Sequence, residues 1–94
     1  MLSIAAAKKI GINACINKLG REFVLAHRNS STSAFGENDG GVFCFVGIDD
    51  NPRPIHFDGT LTLDSASHFP YFASCIVDLS SGATDFLECV IPSA

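Results

Sequence analysis

The chain has 94 residues, of which 47% are hydrophobic and 17% charged, a length that suits one domain and a charge content below the roughly 25% of an average one. That composition excludes a disordered chain, which would be polar or highly charged, and no run of about 20 apolar residues is present to span a membrane. The net charge of −4 is uneven: residues 1–28 carry Lys8, Lys9, Lys18, Arg21 and Arg28 against Glu22, and residues 29–94 carry Arg53 against nine acids.

Residues 3–19 predict a helix. Ser3 is a natural N-cap, because its oxygen accepts from the free N–H groups of the first turn. Ala5, Ala6 and Ala7 favour helix. Ile12, Cys15, Ile16 and Leu19 recur at helical spacing, with Ile4 or Ala5 and Lys8 on the same face. Gly20 is a stop signal. Gly11 weakens the middle and marks a place where another backbone comes close. Residues 21–28 contain Phe23-Val24-Leu25-Ala26, an apolar run that either extends the helix or forms a first strand; its shortness after a Gly stop favours the strand.

Residues 29–41 read as a loop of Ser, Thr, Asn, Asp and Gly with Phe35 as its large apolar residue. A loop of about 13 residues is long for a small domain and is often functional. Val42 to Ile48 is a strand, aromatic and β-branched, with apolar residues on both faces: Val42, Cys44, Val46 and Ile48 on one, Phe43 and Phe45 on the other. Residues 49–54 form a turn with two prolines. Residues 55–64 form a strand interrupted at Asp58-Gly59, and residues 64–67 turn again. Residues 69–79 and 84–91 flank Ser80-Ser81-Gly82-Ala83 as a hairpin. Aligning their apolar faces pairs Val77 with Leu87 and sets Cys75 opposite Cys89. Phe72, Ile76, Phe86 and Val90 then share the other face.

The expected fold class is therefore α+β: one N-terminal helix packed on a four- to five-stranded antiparallel meander, a helix-over-sheet roll occupying residues 1–94 as a single domain. The layout is similar to that of cystatin-type rolls and of small extracytoplasmic domains with the same order. The similarity is one of layout without a shared motif, so it implies no function.

Chemistry-bearing patterns are sparse. Cys15, Cys44, Cys75 and Cys89 include no Cys-x-x-Cys pair and read as small buried hydrophobes. His27, His56 and His68 lack ligand spacing, so no metal and no cofactor are expected. Asp64-Ser65-Ala66-Ser67-His68 reads as a turn rather than a triad, and Asp49-Asp50-Asn51 lacks the spacing of a calcium loop. No phosphate-cradling glycine motif is present. The few cations occupy one segment of an acidic chain, so nucleic acid is not an expected partner. The N-terminal residues have their charge after the apolar run, unlike a secretory signal, and a cytoplasmic location is expected.

The function expected is a small non-catalytic interaction module. One helix covers one face of the sheet, so Phe43, Phe45, Phe72 and Phe86 need another cover, and a homodimer packed through that face supplies it. Phe35 would anchor a protein partner if residues 29–41 act as an inhibitor-like loop. The alternative is a ligand-binding or enzymatic pocket between helix and sheet, lined by Cys15, His27, Cys44 and Asp78.

Overall fold

The computed structural model describes residues 1–49 and 69–93. The strand expected over 55–64, the turns on either side of it, and His56, Asp64 and His68 lie outside the described residues. The element order is helix α1 (Ile4–Leu19), helix α2 (Arg21–Ala26), a single 3-10 turn (Arg28–Ser30), and strands β1 (Ser31–Asn38), β2 (Gly41–Ile48), β3 (Tyr71–Asp78) and β4 (Thr84–Val90). The strands form one antiparallel sheet in the order β1-β2-β3-β4, and α1 packs on it. This is the α+β layout expected.

Helix α1 starts where the sequence places it. Ser3 Oγ accepts from the Ala6 N–H at 3.1 Å, satisfying one of the donors that the first turn leaves free. Gly20 stands at φ 106° and its N–H closes on Ile16 O at 2.9 Å. The buried stripe is Ala7, Gly11, Cys15 and Leu19, with Ile12 and Ile16 half-buried beside it. The sequence places the larger isoleucines at the centre. The small i, i+4 row occupies it instead, because small residues let the helix lie close on the sheet.

Residues 21–28 are helical, not a strand. Gly20 ends α1, as expected, and a second helix starts directly after it: the Val24 N–H bonds Gly20 O at 3.0 Å. Phe23 and Val24 pack against the core while Leu25 stays exposed, so one helical face, rather than a strand face, uses the apolar run.

The segment expected as a loop over 29–41 is mostly strand β1. It pairs along its whole length with β2, from Ser31 opposite Ile48 to Asn38 opposite Gly41. The connection is Asp39-Gly40, with Gly40 at φ 72°. An Asp-Gly pair before an apolar strand is a strong hairpin signal. The pairing with β2 outweighs the weak strand propensity of Ser, Asn and Gly.

The β3–β4 hairpin forms with a different register. Val77 pairs with Thr84 and Cys75 with Phe86; Ala73 then pairs with Cys89. Two steps along β3 match three along β4, which is a β-bulge opposite Ser74. Ser74 Oγ donates to Glu88 O at 2.8 Å there. The expected pairs Val77–Leu87 and Cys75–Cys89 do not occur, because the turn spends more residues than a three-residue loop. Asp78 organises it: its Oδ2 accepts from Ser81 N (3.0 Å) and Ser81 Oγ (2.7 Å), and its carbonyl accepts from Gly82 N (2.8 Å).

Candidate interaction surface

Register decides which face each site residue takes. On β2, Val42, Cys44, Val46 and Ile48 face α1, as expected, and join Ala73, Cys75 and Val77 of β3 in the main core. On the far face, Phe45, Phe72 and Phe69 form a second cluster, with Ala34 and Phe43 packed against it. Phe45 lies 5.4 Å from Phe69 edge-on and 5.8 Å from Phe72 stacked, centroid to centroid. Gly47 makes room for Phe69: a Cβ at position 47 would come within 2.7 Å of that ring. Phe45 is 1% exposed and Phe72 8%, so these two are already covered inside a single chain.

Phe35 and Phe86 are not part of that face. Phe35 pairs with Cys44 and Phe86 with Cys75, and both partners face the helix. The two rings thus flank α1 from opposite edges of the sheet. Lys8 Nζ sits 4.2 Å from the Phe35 centroid and Lys18 Nζ 5.1 Å from that of Phe86. A cation over an aromatic face is attracted by the ring quadrupole, so the helix lysines clasp the sheet edges. Of the five aromatic candidates, the structure brings together Phe43, Phe45 and Phe72 and separates Phe35 and Phe86 from them.

Among the described residues, Met1, Ile10, Leu25 and Phe35 are exposed large hydrophobics at scattered positions, whereas four more fall on or next to β4. Phe86, Leu87, Val90 and the following Ile91 are 43%, 46%, 43% and 48% exposed. Among the described residues β4 pairs only with β3. Val90 was expected on the face away from the helix; Leu87 and Ile91 did not stand out in the sequence, because the expected register assigned both to the core, and the pairing of Cys75 with Phe86 takes Leu87 off that face.

The four residues expected to line a pocket are divided. Cys15 and Cys44 are buried between helix and sheet. His27 ends α2, where its Nδ1 donates to Phe23 O at 2.9 Å and its ring lies 4.4 Å from that of Phe23. Phe23 in turn meets Tyr71, at the start of β3, whereas Asp78 ends that strand, roughly 23 Å away at about 3.3 Å per residue. A surface cleft of about 280 Å³ lies elsewhere, between α1 and β1, lined by Ala5, Lys8, Lys9, Ile12, Asn13 and Ser33.

The thiols form a compact group. Cys15 Sγ stands 3.6 Å from Cys75 Sγ. Cys75 Sγ is 3.5 Å from Gly11 O, and Cys44 Sγ 3.8 Å from Lys8 O. The contact with Cys75 and then burial push the Cys15 thiol up, while the same contact holds Cys75 down. Burial pushes Cys44 up to about 11. Cys89, half-buried against the same core, donates its thiol to Ser74 O at 3.7 Å. Among the described residues, no three His, Cys, Asp or Glu side chains are arranged to hold a metal ion, and no helix is long and apolar enough to cross a membrane.

Comparisons of the chain with protein-family models, with curated proteins and with solved structures found no match.

Proposed function

We propose that this chain is a small non-catalytic interaction module that works as a homodimer, joined through the apolar surface of β4. One observation carries the reading: Leu87, Val90 and Ile91 lie on and just after a single strand, each more than two-fifths exposed, with Phe86 equally exposed on the helix side of that strand. Clustered apolar surface on a small domain marks an interaction site more often than scattered single residues do. The contact moves from the far face to β4 because Phe45 and Phe72 are already covered.

A second copy is the partner that fits. A two-fold contact needs only one patch that matches itself. The charges bordering this patch are Lys18, beside Phe86, and Asp85 and Glu88 on β4. Because both signs are present, a two-fold arrangement can set the cation of one copy beside an acid of the other. Such pairs add register more than affinity. The bulge at Leu87-Glu88 interrupts a regular strand edge, so side-chain packing, rather than an extended ladder, makes the contact. The module belongs in a reducing compartment such as the cytoplasm, where its thiols stay free.

The test is a pair of substitutions on β4, Leu87→Asp and Ile91→Asp, followed by sedimentation velocity over a range of concentrations. The expected result is loss of the dimer with an unchanged circular dichroism spectrum. A dimer that survives both changes removes the reading.

A further inference from the structure

Cys15 lies in the middle of α1 and Cys75 in the middle of β3, and both are fully buried. They are 60 residues apart in sequence, yet their sulfurs touch at 3.6 Å. The fold brings them together through Gly11, which lacks the side chain that would hold α1 off Cys44 and Val77. We propose that Cys15 and Cys75 form a reversible disulfide when the protein meets a peroxide, locking the helix to the sheet.

The sulfurs must close from van der Waals contact to about 2.05 Å, which side-chain rotation supplies without separating the elements. Cys75 is the first to react. The two sulfurs share a contact in which either can donate; the arrangement with Cys15 as donor leaves Cys75 as the thiolate, the nucleophilic form. The thiolate attacks one oxygen of hydrogen peroxide; the O–O bond breaks, hydroxide leaves, and Cys75 becomes a sulfenic acid. Cys15 sulfur then attacks the Cys75 sulfur and displaces its hydroxyl as water. Overall, two thiols and one hydrogen peroxide give one disulfide and two waters. A thiol reductant reverses the bond. Hydrogen peroxide is small enough to enter by local opening of the chain, whereas the half-buried Cys89 has its thiol on Ser74 O and no sulfur in contact to resolve its sulfenic acid.

The experiment treats the folded 94-residue chain with graded hydrogen peroxide. Remaining thiols are then alkylated in denaturant and the peptides mapped by mass spectrometry without reduction. The expected product is a peptide pair joining Cys15 to Cys75, lost on reduction and still formed in a Cys44→Ala, Cys89→Ala double variant. Closing a loop of this size should raise the melting midpoint by on the order of 10–30 °C. If Cys15 and Cys75 remain fully alkylatable while Cys89 alone is oxidised, the proposal fails. A Cys44–Cys75 link in its place, or only disulfides between chains, overturns it equally.

Discussion

Gly11 meets Cys44 with no space for a methyl group between them. A Cβ at position 11 would overlap Cys44 Sγ, and would stand 2.9 Å from Cys44 Cβ and 3.0 Å from Val77 Cγ2. The helix is therefore set on the sheet at a distance that only glycine allows. That contact seats Cys15 in the core and fixes α1 over β2 and β3.

Gly11→Ala tests this spacing, because two effects oppose each other. Alanine gains up to about 1 kcal/mol of helix propensity. Overpacking a filled core costs about 1–3 kcal/mol, and here the neighbours are a strand residue and a buried valine with little freedom to move. The variant should be less stable than the wild type in urea unfolding. An increase in stability would show that α1 lifts off the sheet without loss.

Phe45→Ala should reduce stability without changing association. Removing a buried Phe costs about 3–5 kcal/mol, a large part of the roughly 5–15 kcal/mol that holds a domain together. Denaturant unfolding checks the size of the loss. A variant that keeps its stability but loses the dimer would return the contact to the far face.

Cys44 gives the chain an alkaline limit. Its thiol is raised from 9.0 to about 11, chiefly by burial. A group whose neutral form is favoured in the fold stabilises it below the unfolded value. That contribution is lost as pH rises from about 9 towards 11, because the unfolded chain releases the proton first. Thermal unfolding followed from pH 7 to 11 should show a falling midpoint above pH 9, less steep in Cys44→Ala. Equal slopes in the two proteins would contradict the assignment.

Asp78 acts at the other end of the scale. Hydrogen bonds from the Ser81 hydroxyl and backbone hold its carboxyl below the usual 3.8. Its contribution is present above that value and disappears as pH falls below it towards the lower folded value. The group is solvent-facing, so the effect is local: amide exchange at Ser81 and Ala83 should accelerate in Asp78→Ala at neutral pH. Unchanged exchange at those amides would remove Asp78 from the turn.

The helix and central strands were legible because their signals are local. Ser3, Gly20 and the Val42 to Ile48 run mark their own boundaries, and Gly11 announces a close approach before the neighbour is known. Strand β1 was not, since Ser31 to Asn38 has little strand propensity and takes its conformation from β2. Residues 21–26 misled for the same reason: a four-residue apolar run fits a short helix or a strand until its neighbours are known. The greatest loss was at β4, where the turn pairs Cys75 with Phe86, which puts Phe86 on the helix face and leaves Leu87 in solvent, and one extra residue opposite Ser74 then shifts the register again. A bulge has no sequence mark when no glycine accompanies it. Cys15 and Cys75 meet through helix placement and not through strand register.

The central claim is that two copies meet through β4. Light scattering coupled to size exclusion, at low micromolar protein and at two salt concentrations, tests it most directly. The expected mass is twice the 10.0 kDa of one chain at both salt levels, since apolar burial dominates the contact and screening acts mainly on exposed charges. A mass of 10.0 kDa at both would contradict it.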